Sequence, residues 1–205
     1  MKITKVTEDA VATLLDDLLK RSPNNYTGYA DKVQAIIDDV RERGDEALFE
    51  MTKRFDGADL NADNIRVTQA EIDEAYTLVD ASLIEVIRKA MTNIRVYHEK
   101  QRQYGWFDTT PDGTILGQKV TPLQSTGVYV PGGKAAYPSS VLMNVIPAKV
   151  AGVEKIVMVT PPGKDGKVNP GTLVAANEAG ADEIYKLAVH RRLQHWLLVQ
   201  LLFLR

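Results

Sequence analysis

Apolar residues recur every three or four positions through the first hundred residues, which is the spacing of amphipathic helices. One such segment follows Thr7, whose hydroxyl and the acidic residues after it are typical of a helix start. A second segment runs from Val33 to Val40 and is interrupted at Gly44. A third, shorter segment ends at Gly57, a residue type that commonly follows a helix. The pattern therefore predicts a helical amino-terminal region.

Two further helices and a hairpin complete this region. Thr68 and Glu71 have the spacing of a capping box, in which each side chain bonds the backbone N–H of the other residue. The segment "SLIEVIRKAMTNIRVYHEKQRQ" predicts a long helix with one buried apolar face. That face is predicted to hold Leu83, Val86, Ile87, Ala90, Ile94 and Tyr97. The segment "WFDTTPDGTILGQKV" predicts a β-hairpin that turns at Pro111, Asp112 and Gly113.

The pattern changes at Thr126, where short strands begin to alternate with helices. The predicted strands are "GVYVP", "EKIVMVTPP" and "DEIYK", and the second is continuously apolar, as buried parallel strands are. The predicted helices between them are "SSVLMNVIPAKVAGV" and "NPGTLVAANEAGA". Such alternation through short connections indicates a parallel, right-handed βαβαβ unit. The fold class is therefore α/β, with a helical region and a small β-hairpin over residues 1–125 and the βαβαβ unit over 126–186.

Composition narrows the class of protein. The chain has 25 basic and 27 acidic residues and a formal net charge of -2, so no basic excess predicts binding to nucleic acid. It has no Cys, which excludes disulfides, thiolate metal sites and a Cys nucleophile. The longest strongly apolar stretch, "WLLVQLLFL", is far shorter than the roughly 20 residues of a membrane span, and the amino terminus does not resemble a signal peptide. We therefore expect a cytoplasmic globular protein without a membrane partner.

The stretch "GVYVPGGKAAYPSS" has the clearest chemical character. A Gly-rich turn between strand and helix exposes backbone N–H groups, and the start of the helix favours an anion such as a pyrophosphate. The turn fits neither the Gly-x4-Gly-Lys-Ser/Thr nor the Gly-x-Gly-x-x-Gly spacing. Tyr129 and Tyr137 flank it, and each ring either stacks on a nucleotide or is simply half-buried. For the loop itself, the alternative is a tight turn that needs Gly only for its backbone geometry.

The histidines do not form a site in this pattern. His98 lies near the end of the long helix and is predicted to be a solvated helix residue. His190 and His195 are five positions apart, which does not place both on one helical face, and no carboxylate accompanies them. We therefore assign no metal ligand and no catalytic residue in this chain.

Four segments resemble the amino-terminal portion of histidinol dehydrogenase: "VRERGDEALFEMTKRFDG", "IRVYHEKQ", "GVYVPGGKAAYPSSVLMNVIPAKVAGV" and "NPGTLVAANEAGADEIYK". The resemblance runs from about Val33 to Lys186, and the long third block is specific to that family. It implies an NAD- and zinc-dependent homodimer that oxidises L-histidinol through L-histidinal to L-histidine, in histidine biosynthesis. It also implies that the βαβαβ unit is an incomplete Rossmann-like domain.

Few functional residues of the family carry over to this chain. Tyr129 matches the Tyr that contacts NAD, and Pro131, Gly132 and Gly133 match the adjoining turn on the cofactor side. The family's zinc ligands, a Gln, two His and an Asp, and its Glu-His acid-base pair are expected to fall outside this chain. We therefore predict a truncated, inactive histidinol dehydrogenase. The alternative is a non-enzymatic folded remnant that dimerises or binds nucleotide weakly.

Residues 187–205 depart from the family. After "EIYK" the family continues "VGGAQAIAALAFGT". With suitable synonymous codons, deleting one base after the Lys186 codon gives "LAVHRRLQHWLLVQLLFLR" and then a stop. We therefore predict out-of-frame translation for this tail, the alternative being an amphipathic helix for oligomerisation or membrane contact. Without the later family sequence, we expect one edge of the parallel sheet to be open.

Overall fold

The computed structural model describes residues 27–132 and 136–187, together with Thr7 and Val11. The helix predicted after Thr7 and the tail beyond Leu187 lie outside these residues. None of the helices in the described ranges has an apolar stretch of the length that a bilayer span requires. The order of elements there is helices, a hairpin and then alternating strands and helices, which confirms the predicted α/β class.

Four helices come first in the described part of the chain. Their bounds are Thr27–Arg43 for α1, Asp45–Asp56 for α2, Gln69–Leu78 for α3 and Ala81–Glu99 for α4. Gly57 ends α2 in the left-handed conformation, with φ 73°, which favours glycine. At the start of α3 the Thr68 hydroxyl accepts the N–H of Glu71, and the Glu71 carboxylate accepts the N–H of Thr68. The predicted helix stop and the predicted capping box are both confirmed.

The remaining elements form a hairpin and a parallel sheet. In chain order they are β1 Trp106–Thr109, β2 Ile115–Gln118, β3 Ser125–Tyr129, α5 Pro138–Ala151, β4 Lys155–Thr160, α6 Pro170–Ala179 and β5 Glu183–Lys186. β1 and β2 pair in antiparallel fashion. The other strands pair in parallel in the order β3-β4-β5, with α5 and α6 as the crossovers. The predicted βαβαβ unit is therefore confirmed.

One face of the parallel sheet packs against its own crossover helices. Val128, Met158 and Ile184 lie in a core formed with residues of α5 and α6. Ala75 of α3 and Ile87 of α4 join the same core, because α3 packs on α6 and α4 packs on α5. The helical region therefore forms a second layer over the crossover helices.

The opposite face of the sheet packs against α1 and α2. Tyr129, Val159 and Tyr185 alternate with the residues of the first face along their strands and contact a second core. That core includes Val40 of α1 and Leu48 of α2. The helical region thus covers this face directly. The division into domains at residue 125 stays a prediction.

The outer edge of β5 is paired, so the expected open edge is wrong at this strand. The N–H of Val67 donates to the carbonyl of Ile184 at 2.9 Å, and the N–H of Lys186 donates to the carbonyl of Ile65 at 2.8 Å. This segment between α2 and α3 therefore runs beside β5 as a short antiparallel bridge. Lys186 is itself buried, and its Nζ lies 2.5 Å from Oε1 of Glu71.

α4 is apolar on two sides, so its predicted buried face is only partly correct. The side that packs on the core holds Ile84, Ile87, Met91 and Ile94. In contrast, Leu83, Val86 and Tyr97 are 43%, 61% and 62% exposed. Either stripe satisfies the helical periodicity, and the packing of α4 against α5 and α6 selects one of them.

Hydrogen bonds around Glu178 join three helices. Arg88 of α4 donates two hydrogen bonds to the Glu178 carboxylate, at 3.0 and 2.8 Å. The Tyr76 hydroxyl of α3 donates to the same carboxylate at 2.8 Å and accepts a hydrogen bond from Asn177 at 3.0 Å. The bonds from Arg88, and then from Tyr76, outweigh burial and hold the pKa of Glu178 below its ordinary value.

Replacing Glu178 with Gln should lower the free energy of unfolding by about 1–2 kcal/mol at neutral pH, because a bidentate pair with a half-exposed arginine is lost. Since folding lowers the pKa of Glu178, its contribution is present above the ordinary value of 4.5 and is lost as the pH falls through the folded-state pKa. Urea unfolding at neutral pH and well below pH 4.5 measures both effects.

The matched control is Glu85→Gln, which removes the exposed partner of Arg88 on α4 itself. We expect that change to cost less than about 0.5 kcal/mol. If the two variants lost the same free energy of unfolding, the Glu178 carboxylate would have no special stabilising role. The same conclusion would follow if the loss in Glu178→Gln were unchanged at acidic pH.

Candidate functional site

A cleft opens at the carboxyl ends of β3 and β4, the edge at which parallel α/β sheets bind ligands. Its volume is about 350 Å³. The turn after β3 forms one wall, and the connection from β4 to α6 forms the other. The lining residues that matter for its chemistry are Gly132, Thr160, Pro161, Lys167, Asn169 and Thr172.

Gly132 is a point of close approach between the two walls. A Cβ atom on this residue would lie 2.7 Å from Cγ of Pro161 and 3.0 Å from the Pro161 carbonyl oxygen. Side-chain atoms do not fit at such distances, so this position needs glycine for packing. The tight-turn interpretation of the loop therefore has a physical basis that requires no ligand.

The helix starts on the two sides of the cleft are capped differently. At α6, Oδ1 of Asn169 accepts hydrogen bonds from the N–H groups of Gly171 and Thr172, at 2.9 and 3.3 Å. At α5, no described side chain caps the start of the helix, and Pro138 occupies its first turn. The Gly-rich turn leads into α5. In the first turn of α5, Pro138 has no N–H and the N–H of Ser140 donates to the Tyr137 carbonyl at 3.0 Å, so the N–H that is open to an anion on this side is that of Ser139.

The charged residues at the cleft are already engaged in ion pairs or turns. Nζ of Lys167 lies 2.8 and 2.9 Å from the two carboxylate oxygens of Glu74, and that bond raises the pKa of Lys167. Oδ1 of Asp165 accepts the backbone N–H of Lys167 at 3.1 Å. Thr160 and Thr172 are 1% and 3% exposed and add two buried hydroxyl-bearing residues to the lining. Among the described residues that line the cleft, the charged side chains are therefore held in an ion pair or a turn.

The residues predicted to bind the cofactor lie at different places. Gly132 lines the cleft, and Pro131 is half-buried beside it. The side chain of Tyr129 is on the opposite face of the sheet, where it packs against the core formed with α1 and α2. Gly133 lies outside the described residues. Tyr137 is exposed at the start of α5.

The connection from β4 to α6 supplies lining residues that the sequence analysis did not single out. Thr160 and Pro161 stand at the end of β4, and Asn169 caps α6. The available signal was the parallel strand order, because adjacent parallel strands bring their carboxyl ends to one edge. The residues that follow β4 ("EKIVMV") are therefore expected to lie beside those that follow β3 ("GVYV").

Two titratable groups stand out away from the cleft. Nδ1 of His98 lies 2.7 Å from Oε1 of Gln101, near the end of α4. Burial raises the pKa of Asp56 at the end of α2, and its Oδ2 has no hydrogen-bond partner among the described residues. Within the described ranges, no group of three or more His, Asp or Glu could hold a metal ion.

Comparison with known proteins points to one family. The family described as histidinol dehydrogenase matches residues 19–189. The histidinol dehydrogenase of Heliobacterium mobile is 55% identical over 172 residues, which are 84% of this chain and 40% of the relative. That of Bacillus subtilis (strain 168) is 58% identical over 170 residues, which are 82% of this chain and 39% of the relative. The chain spans about two fifths of the length of these curated relatives.

A solved structure shares the fold. The crystal structure of histidinol dehydrogenase from Elizabethkingia anophelis superposes with a TM-score of 0.73 at 37% sequence identity. The match covers 78% of this chain and 36% of that chain. The α/β arrangement of the described part is therefore similar to part of a solved family structure.

We expect Gly132→Ala to lower the free energy of unfolding by about 1–3 kcal/mol, because the new methyl group must displace the Pro161 ring and backbone. Gly163→Ala is the matched control. Its Cβ would also meet an atom at 2.7 Å, but that atom is Oδ1 of the Asp165 side chain, which can rotate away at the loss of one exposed hydrogen bond from the Lys167 N–H. Urea unfolding of both variants compares them. A loss as large in Gly163→Ala as in Gly132→Ala would show that wall packing is not the cause.

Proposed function

The chain belongs to the histidinol dehydrogenase family, and from this premise we propose that its βαβαβ unit binds NAD at the carboxyl ends of β3 and β4. The observation that carries the proposal is the cleft at this edge, where Gly132 packs the turn after β3 against Pro161. Its volume of about 350 Å³ is at the small end of ligand sites. It suits one nucleoside portion of the dinucleotide rather than the whole molecule.

The two walls offer different groups to the ligand. The start of α5 would face the pyrophosphate with the N–H of Ser139, whereas the N–H groups of Gly171 and Thr172 at α6 are taken by Asn169. The hydroxyls of Thr160 and Thr172 would bond a ribose or base in the cleft, with Pro161 as an apolar wall. A ligand bound in this way would leave the ion pair between Lys167 and Glu74 intact.

Tyr129 requires a different placement of the ligand. The resemblance assigns this residue an NAD contact, whereas its side chain packs on the face covered by α1 and α2. A dinucleotide that touches both Tyr129 and Gly132 would have to cross the carboxyl edge of the sheet from one face to the other. Tyr129 and Gly132 would therefore contact different parts of a bound dinucleotide.

The finer properties of the family are also proposals for this protein. They are assembly as a homodimer, a cytoplasmic location and a cofactor-side second domain, whereas the oxidation of L-histidinol to L-histidine and the dependence on zinc are proposed for the longer family chains, of which this chain spans about two fifths. The described residues offer no cluster that fits zinc, so we assign no step to a metal here. We therefore expect this chain to bind NAD without reducing it in the presence of histidinol.

Isothermal titration calorimetry of the full chain with NAD tests the proposed site. We expect saturable binding, and Thr160→Val should weaken it about fivefold, because one hydrogen bond of about 1 kcal/mol is lost. The control is Thr52→Val, which changes an equally buried threonine on α2, outside the cleft lining. Unchanged affinity in Thr160→Val would overturn the cleft assignment.

Two further measurements separate the remaining possibilities. If Tyr129→Phe weakens NAD binding while Thr160→Val does not, the ligand lies on the face of α1 and α2 instead. If NAD does not bind at all, the proposed role of the βαβαβ unit fails. Formation of NADH with histidinol and added zinc would overturn the expected inactivity.

The out-of-frame origin of residues 187–205 stays a prediction. Leu187, the one described residue of this segment, is buried, and its N–H donates to the carbonyl of Thr160 at 3.0 Å. Sequencing the coding DNA across the Lys186 codon tests the origin. A frame that one added base reopens as "VGGAQAIAALAFG" would support it, and the lack of such a frame would end it.

A further inference from the structure

Lys186 is the one charged residue of the described part that is almost completely buried, with 5% of its surface exposed. It is the last residue of β5, at the carboxyl edge of the sheet. Its Nζ lies 2.5 Å from Oε1 of Glu71, in the first turn of α3. A buried charge is stable only when an opposite charge and hydrogen bonds compensate it. The buried position of Lys186 therefore depends on Glu71.

The two carboxylate oxygens of Glu71 bind different partners. Oε1 faces Lys186, whereas Oε2 accepts the backbone N–H of Thr68 at 2.9 Å and the Thr68 hydroxyl at 3.2 Å. Thr68 directly follows residues 65–67, the segment that runs beside β5, which we call the strap. The Glu71 side chain therefore joins the end of β5 to the start of α3 and to the end of the strap.

The strap covers the outer edge of β5. Two backbone hydrogen bonds hold it there, one from the N–H of Val67 and one from the N–H of Lys186. An ion pair between Arg66 and Glu183 adds to them, but the Arg66 side chain is more than half exposed and such pairs contribute little. The buried pair between Lys186 and Glu71 is therefore the main electrostatic link between this segment and β5.

The strap and the start of α3 bury few apolar side chains. In the strap only Val67 is buried, and among the ten residues of α3 only Ala75 is. A cavity of about 30 Å³ lies between α3 and α6, with Glu71 in its lining. A segment with so few buried contacts can open without unfolding the rest of the fold. Further along α3, Tyr76 is bonded to Glu178, so we expect the opening to end before Tyr76.

We propose that the pair between Lys186 and Glu71 is a latch, which keeps the strap and the first turn of α3 on β5 and lets this segment open as a unit when Glu71 loses its charge. Opening would bring Lys186 into contact with water and would leave the outer backbone groups of β5 unpaired. An unpaired edge of this kind can accept another strand. The latch makes no use of nucleotide binding, so this proposal and the proposed NAD site can fail independently.

The charge of Glu71 makes the latch sensitive to pH. Burial raises the pKa of Glu71, but the bonds from Lys186 and Thr68 outweigh burial and hold the pKa below its ordinary value of 4.5. The other charged groups near this carboxylate are Lys167, before α6, and its partner Glu74, one turn further along α3. Since folding lowers the pKa of Glu71, the latch is closed above pH 4.5 and opens as the pH falls through the folded-state pKa.

Hydrogen exchange of single amides, measured by NMR on the full chain, tests the latch. The reporters are the N–H groups of Val67 and Lys186, and the control is the N–H of Val130, which donates to the Val159 carbonyl at 2.9 Å. We expect the reporters to exchange faster than Val130 and almost independently of low urea concentrations, because a local opening exposes little surface. One common rate and one common urea dependence for all three amides would overturn the proposal, since the strap would then open only with the whole fold.

Glu71→Gln separates the charge from the helix cap, because Gln at this position still accepts the Thr68 N–H. We expect it to speed exchange of both reporters at least about tenfold at neutral pH, and to match the unchanged chain well below pH 4.5, where Glu71 is itself protonated. The matched control Glu74→Gln removes the exposed pair with Lys167 on the same helix and should change the reporters little. Equal acceleration in the two variants, or none in Glu71→Gln, would contradict the latch.

A rescue variant identifies the cause of the opening. Adding Lys186→Met to Glu71→Gln removes the uncompensated buried charge, so exchange of the Val67 N–H should return to within about threefold of its original rate. Exchange as fast as in Glu71→Gln alone would show that packing, not charge, closes the strap. If Glu71→Gln does not fold, the double variant is compared with the unchanged chain. Its Val67 protection should then not respond to acid, and a response equal to that of the unchanged chain would end the proposal.

Discussion

The architecture depends on burying β4 on both of its faces. Met158 and Val159, adjacent in this strand, are almost completely buried on opposite sides of the sheet. A central parallel strand can be covered only by helices on each face. The crossovers α5 and α6 cover one face, so α1 and α2 must cover the other. Each large side chain buried in this way contributes roughly 1.5–3 kcal/mol.

This constraint also fixes where the cleft lies. Once both faces are covered by helices, a ligand can reach the sheet only at its edges, and the cleft lies at the carboxyl edge, where the turn after β3 meets the end of β4. The alternation of side chains then separates residues that are neighbours in sequence. Tyr129 points into the core of α1 and α2, while Gly132 lies against Pro161. The stretch "GVYVPGG", which the sequence analysis treated as one motif, therefore contributes one residue to the core and another to the cleft.

The sequence predicted those features whose signals are local. The capping box at Thr68 and Glu71, the stop at Gly57 and the alternating strands and helices each depend on a few adjacent residues. The paired edge of β5 could not be predicted in this way, because the strand and the segment around Arg66 are more than a hundred residues apart in the chain. Predicting the residues on the β4 side of the cleft also required the strand order, because these residues form no recognisable chemical motif.

The incorrect prediction of the buried face of α4 has a different cause. An apolar position in a helix indicates that something covers it, but not that its own chain does. Two stripes of α4 satisfy the helical period, and α5 and α6 cover only one of them. The stripe left exposed lies on the helix that leads into a ribbon with two exposed apolar faces. Disagreement between pattern and burial at both places therefore points to a contact outside the described fold rather than to an error of periodicity.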